Sequence, residues 1–146
     1  MFGVYINDNV LDYVTKEELK SKYRDEVRGF YELRLKNPPI SNKDFSDNLW
    51  VMFDKNNKIH RIHSEKVFQD SESCEKVEYQ VRRQLETKYD FEFEINPRSN
   101  YGFQKWFGDN VITTQCFFSN NETLLIIFFQ TEEFNNKYDE YLNSKI

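Results

Sequence analysis

The chain contains no alanine, only four glycines and three prolines, and two residues each of cysteine, histidine, tryptophan and methionine. So few glycines leave no glycine-rich phosphate loop and no Gly-x-Ser-x-Gly nucleophile turn, and neither a Cys-x-x-Cys pair nor an acidic calcium loop is present. The familiar signatures of nucleotide, hydrolase, redox and calcium chemistry are therefore missing, and the sequence implies neither a cofactor nor a metal. The longest apolar run, Leu124 to Phe129, falls far short of the roughly 18 residues that mark a membrane-spanning helix. Two cysteines are too few to define a disulfide framework on their own.

Aromatic residues are abundant instead: fourteen Phe, nine Tyr and two Trp in 146 residues. Charged residues make up 31% of the chain, but with 17% aromatic the composition is that of a folded domain and not of a disordered segment. A compact fold of this size buries roughly 68 to 70% of its unfolded surface, enough for a core without metals. Lys and Arg number 20 against 25 Asp and Glu, a net charge of −5 that opposes a phosphate backbone. Arg82 and Arg83 are the only adjacent arginines, and the run Lys55 to Arg61 is diluted by Asn and His. No nucleic-acid partner is expected. Met1 stands directly before Phe2-Gly3-Val4-Tyr5-Ile6 without a basic or long apolar leader. The expected location is periplasmic or secreted if a signal peptide has been removed, and cytoplasmic otherwise.

Periodicity gives an α+β reading. Asp8 or Asn9 can cap a helix to about Tyr23, with Val10, Leu11, Val14 and Leu19 as its apolar stripe; a capping box at Thr15-Lys-Glu-Glu18 offers a break into two short turns. Phe30 to Leu35 is a strand with Tyr31, Leu33 and Leu35 on one face, stopped by Asn37-Pro38-Pro39. Leu49 to Phe53 and Ile59 to Phe68 flank Asp54-Lys-Asn-Asn-Lys58 as a hairpin, because Asn tolerates positive φ. Asp70-Ser-Glu-Ser73 opens a second helix, with Cys74, Val77, Val81, Leu85 and Tyr89 as the buried stripe. Phe91 to Ile95 alternates as a strand and an aromatic loop follows. Val111 to Phe118 and Thr123 to Gln130 then make a hairpin around Asn120-Asn121, and Phe134, Tyr138, Tyr141 and Leu142 mark a closing helix.

The two halves repeat these signals in order: a helix ending Lys-Tyr (Lys22-Tyr23; Lys88-Tyr89), a strand, Asn-Pro (Asn37-Pro38; Asn96-Pro97), and an Asn-Asn hairpin. The expected arrangement is one domain with two structural repeats, about 1–68 and 69–131, and a closing helix over 132–146. Each half lays its helix on one face of an antiparallel sheet. This layout resembles tandem helix-plus-sheet modules of the beta-lactamase-inhibitor type, an architectural likeness that transfers no residues.

Candidate chemistry is sparse. His60 and His63 lie three apart on a strand, which points them to opposite faces unless the strand bulges between them, so they are not expected to chelate one metal. Cys74, at a helix start, has a nucleophile's position but also lies on the apolar stripe. Cys116 lies mid-strand on the face of Ile112 and Phe118. A Cys74–Cys116 disulfide, two buried thiols and a reactive cysteine are the open readings. Glu17-Glu18, Glu92/Glu94 and Glu132-Glu133 read as wet surface. Arg98, Tyr101, Phe103 and Trp106 combine aromatics with arginine, the composition of a binding hot spot, and Trp50 belongs with them if its strand face is uncovered.

Phe2-Gly3, Asp8-Asn9-Val10 with Tyr13, Asp54-Lys-Asn-Asn-Lys-Ile-His60 with Ile62, Cys74 ahead of a helix ending Lys88-Tyr89, and Gln115-Cys116 together resemble a group of small, uncharacterised bacterial exported proteins. The resemblance implies a signal peptide ahead of the Phe-Gly segment and pairing of the two cysteines in an oxidising compartment. It implies no activity. The leading expectation is a non-enzymatic module of the cell envelope that binds an unidentified protein partner. A small hydrolase or thiol enzyme centred on Cys74 or a histidine, and an intracellular acidic mimic of nucleic acid, are the competing classes.

Overall fold

The computed structural model describes residues 3–40, 43–97 and 102–145. Eight strands form one antiparallel sheet in the order β1-β2-β3-β4-β8-β7-β6-β5. The strands are β1 (Tyr23–Arg24), β2 (Phe30–Arg34), β3 (Asn48–Asp54), β4 (Ile59–Phe68), β5 (Glu94–Ile95), β6 (Gly102–Phe107), β7 (Asn110–Ser119) and β8 (Glu122–Gln130). β1–β4 and β5–β8 each run as a meander, and the two meet where β4 pairs with β8 from Arg61↔Gln130 to Phe68↔Thr123. The chain is thus α+β, as its periodicity implies.

The hairpins form where Asn accepts a left-handed backbone. Asn120 and Asn121, with φ of 48° and 67°, make the two-residue turn between β7 and β8 that matches strand twist. Asn57 does the same between β3 and β4 with φ of 66°, while the Asp54 carboxylate accepts the N–H groups of Asn56 and Lys58. Gly108, at φ of 61°, lies in the turn joining β6 to β7. Both outermost strands are two residues long, which limits the free sheet edge.

The alternation of each strand separates two faces. On one, Leu33, Val51 and Ile62 align across β2–β4, and Ile127 and Cys116 continue the face on β8 and β7. The N-terminal segment covers the β2–β4 side of this face with Val4, Val10 and Val14. Backbone bonds from Asn7 N–H to Ile59 C=O and from Val10 N–H to Asn57 C=O hold it there. α2 (Ser71–Tyr89) covers the β7–β8 side with Cys74 and Val81, and Val77 and Leu85 pack against the same cluster.

The expected first helix is broken. Asn9 caps a short 3-10 turn, Val10–Asp12, and the Thr15 capping box starts a separate α1 (Lys16–Leu19). Two competing caps six residues apart divide the segment. α2 begins at its expected Asp70 cap, but Tyr89 is 48% exposed, because the helix ends there on Asp90 in a left-handed conformation. The expected aromatic loop contains β6, and the strand expected over 91–95 pairs only at Glu94–Ile95. α3 (Glu132–Ser144) packs on the opposite face at one corner, where Phe134 and Tyr141 join Val27, Phe30 and Met52. Tyr138 and Leu142, expected to dock, remain exposed.

The sulfurs of Cys74 and Cys116 are 2.12 Å apart, joining α2 to β7 across 42 residues of sequence. Beside them Glu78 is buried on the same helix. Its carboxylate accepts the Thr114 hydroxyl at 2.6 Å and the Arg82 Nε–H at 2.9 Å, so the buried charge is satisfied. Replacing both cysteines by alanine should lower unfolding free energy by roughly 3 to 4 kcal/mol, the loop-closure value for this separation. Urea denaturation of the oxidised chain and the double variant measures it.

Candidate functional site

Trp50 and Met52 alternate with Leu49, Val51 and Phe53 on β3, so burying the second set turns the first toward the face that α2 does not cover. The register extends this face across the sheet. One row runs Arg34–Trp50–His63–Phe128–Thr113–Gln104–Glu94, and the next runs Glu32–Met52–Arg61–Gln130–Val111–Trp106. Val67, Leu124 and Phe117 form a further apolar row, with Val67 and Phe117 about half exposed. Trp106 is 47% exposed. Both tryptophans of the chain therefore lie on this one face.

A bulge completes it. Met52 pairs with Arg61 and Phe53 with Ile59, leaving His60 as an extra residue in β4. The extra residue restores Ile59 and Ile62 to the core and places His60 and Arg61 together toward the open face and α3. His60 meets Phe30 edge-on, while the Arg61 guanidinium lies 4.4 Å from the Phe128 ring centroid and 5.6 Å from that of Phe134.

Glu32, Trp50, Met52, Arg61, His63 and Glu65 line a cavity of about 330 Å3 on this face. Arg61 Nη2 donates to His63 Nδ1 at 3.0 Å. A guanidinium only donates, so Nδ1 must accept, and the imidazole proton on Nε2 goes to Glu65 Oε1 at 2.8 Å. That bond, working against burial, holds the Glu65 carboxyl below its ordinary value. Arg61 Nε is buried without a hydrogen-bond partner. Burial, reinforced by the neighbouring Asp25 charge and hydrogen bond and opposed by Arg61, raises the Glu32 carboxyl above its ordinary value. The cavity thus combines an arginine lacking one partner, a carboxylate that resists ionisation and two large apolar side chains, the composition of a recognition pocket.

His60 has the contacts of a catalytic imidazole but not the access. Nε2 donates to Asp54 Oδ2 at 2.9 Å and Nδ1 faces Thr131 Oγ1 at 2.9 Å, while the same hydroxyl caps α3 by accepting the Phe134 N–H. His60 is fully buried and Thr131 is 5% exposed, so this chain of contacts pins β4, the β3–β4 turn and α3 together. Burial disfavours the Asp54 charge, but bonds from His60, Lys58 and Asn56 outweigh it and hold the carboxyl below its ordinary value. Cys74, in its bond with Cys116, offers no thiol. His60 and His63 have separate partners, and no group of three or more metal-binding side chains occurs among the described residues.

Of the expected binding residues, Trp50 and Trp106 reach the open face, at different rows. Phe103 lies on the helix side of β6, with the Arg82 guanidinium 3.6 Å from its ring centroid. Arg98 and Tyr101 fall outside the described residues. Sequence reasoning missed Glu32, Arg61, His63 and Glu65 as a group. The one available signal was the proviso that a bulge would bring His60 and His63 to the same side. No known family matches the sequence, and the comparisons found neither a similar curated protein nor a similar solved structure. Among the described residues no helix is long and apolar enough to cross a membrane.

Two titrations test these assignments. Glu32→Gln should raise the melting temperature at pH 7, because a carboxyl with a raised pKa in the folded chain costs stability once ionised; the gain should vanish as pH falls below the ordinary glutamate range. Asp54 contributes stability that is complete above the ordinary aspartate range and lost as pH falls through its lowered value. Asp54→Asn should therefore flatten the acid limb of the melting-temperature profile.

Proposed function

We propose that the chain is a protein-binding module of the bacterial cell envelope that engages its partner through the face bearing Trp50 and Trp106. The observation that carries this reading is the continuity of that face: half-exposed Val67, Phe117 and Trp106 and partly exposed Leu124, Ile126 and Phe128 adjoin the Arg61 pocket. An exposed apolar surface with an aromatic and arginine centre has the anatomy of a protein interface. The occupant is a partner that lays an apolar ridge across β4, β8 and β7 and inserts a hydrogen-bond acceptor toward Arg61 Nε. The Cys74–Cys116 pair fits an oxidising compartment. The resemblance to small exported proteins supports the same location.

A photo-crosslinking residue placed at Phe117 in the native host should trap one partner reproducibly, while one at Lys76, on the exposed side of α2, should not. With that partner purified, binding should shift the intrinsic tryptophan emission, since both tryptophans report from the interface. Trp106→Glu combined with Phe117→Glu should weaken binding on the order of 30-fold or more, the loss expected of a hot-spot residue, with the circular dichroism spectrum unchanged. Trapping at Lys76 but not at Phe117 would move the interface to the helix side and defeat the proposal.

A further inference from the structure

On the side of the sheet opposite the Trp50 face, the N-terminal segment and the end of α2 do not close over the strands completely. Between them lies a cavity of about 360 Å3 whose floor includes Ile112 and Phe129, with Leu85 on α2 and Ile6 on the N-terminal segment as walls. Among the described residues its lining carries no charged or amide side chain, and the only side-chain polar atoms are the hydroxyls of Tyr5 and Tyr89. These two tyrosines are 60% and 48% exposed, so the space opens to water at their end. A second cavity of about 190 Å3 shares Tyr5, Leu85 and Tyr89 with the first and adds Lys88.

Among the described residues, Lys88 is the only charged side chain lining either cavity. It is exposed, its ammonium lies 5.3 Å from the Tyr89 ring centroid, and no carboxylate pairs with it among the described residues. The last turn of α2 adds the partial negative charge of a helix C-terminus, so an anion here depends on Lys88 and is opposed without it. The larger volume lies within the roughly 300 to 1,000 Å3 of small-molecule pockets, which are mostly apolar with a few placed polar groups.

We propose that this cleft binds a free small amphiphile, with an apolar tail over Ile112 and Phe129 and an anionic head at Lys88; a medium-chain carboxylate is the simplest such ligand. The tail removes apolar surface from water, and the head supplies the counter-charge that Lys88 lacks. The site is independent of the partner face, lying across the sheet from it.

The test is calorimetric titration of the intact, disulfide-bonded chain with dodecanoate and with dodecyltrimethylammonium, together with methyl chemical shifts. Dodecanoate should bind one to one and shift Leu85 and Ile112, with the cationic amphiphile weaker by roughly fivefold or more, the size of a partly exposed ion pair. Lys88→Glu, at an exposed position, should reverse that order, with the melting temperature of the free chain lowered only by the few degrees that an anion at a helix C-terminus costs. Ile6→Trp should block both ligands, with its fold checked by the β8 amide spectrum. Absence of saturable dodecanoate binding, shifts at Ile126 instead of Ile112, or a head-group preference indifferent to Lys88→Glu would each overturn the proposal. Co-flotation with phosphatidylglycerol vesicles without binding of free dodecanoate would overturn it as well.

Discussion

The pairing of β4 with β8 is the contact on which the rest of the molecule depends. Each flanking meander has local hairpins of its own, but only this ladder unites their faces, so that Ile62 on β4 and Ile127 on β8 contribute to one helix-covered side. It is also the most demanding contact to form, since it joins residues such as Arg61 and Gln130 that are far apart in sequence and must meet before the sheet gains its full area. Its upper end delivers the chain into Thr131, whose N–H bonds to the His60 carbonyl while its hydroxyl meets the His60 ring. The position of α3, and hence which part of the Trp50 face is covered, follows from where this ladder stops.

A single inserted residue decides the character of that face. Without the bulge at His60, the alternation beyond Arg61 would be out of step with Ile59, and either the core isoleucines or the polar side chains would lie on the wrong side. With it, the sheet keeps Ile59 and Ile62 in the core and sets an arginine between two phenylalanine rings. The resulting pocket is polar in an aromatic setting, and its carboxylates respond in opposite ways. Glu65 accepts the His63 Nε2–H hydrogen bond and stays readily ionised, whereas Glu32, partly buried and facing Asp25, does not. Such a conflict, kept at a partly exposed surface, is a stability cost of the kind that accompanies recognition sites.

Much of the fold could be read from local chemistry. The Asp70 cap, the stripe of Cys74, Val77 and Val81, and the Asn-Asn turn of β7–β8 each rest on residues close in sequence, and each stands where its pattern placed it. β6 escaped because its side chains are apolar on both sides, Phe103 and Phe107 toward the helices and Trp106 away, so no alternation marks it. Only the Gly108-Asp109 pair before Asn110 hinted at a hairpin. The Arg61 pocket was harder still, because it draws residues from three strands through a bulge that no local pattern announces. Cys74 and Cys116 occupied the middle ground: their faces were legible, but their meeting required the docking of α2 on β7.

The cysteine pair also bears on how the chain matures. Two cysteines admit one intramolecular pairing, so the chain needs an electron acceptor but no enzyme to reshuffle mismatched bonds. Cys116 lies 42 residues beyond Cys74, so during synthesis the earlier thiol waits through all of α2 and β6 before its mate exists. The Val10–Ile62 cluster includes neither sulfur, whereas the cluster under α2 is built around both. A reductant would therefore loosen the two sides unequally, fraying the later-made half while the earlier one holds.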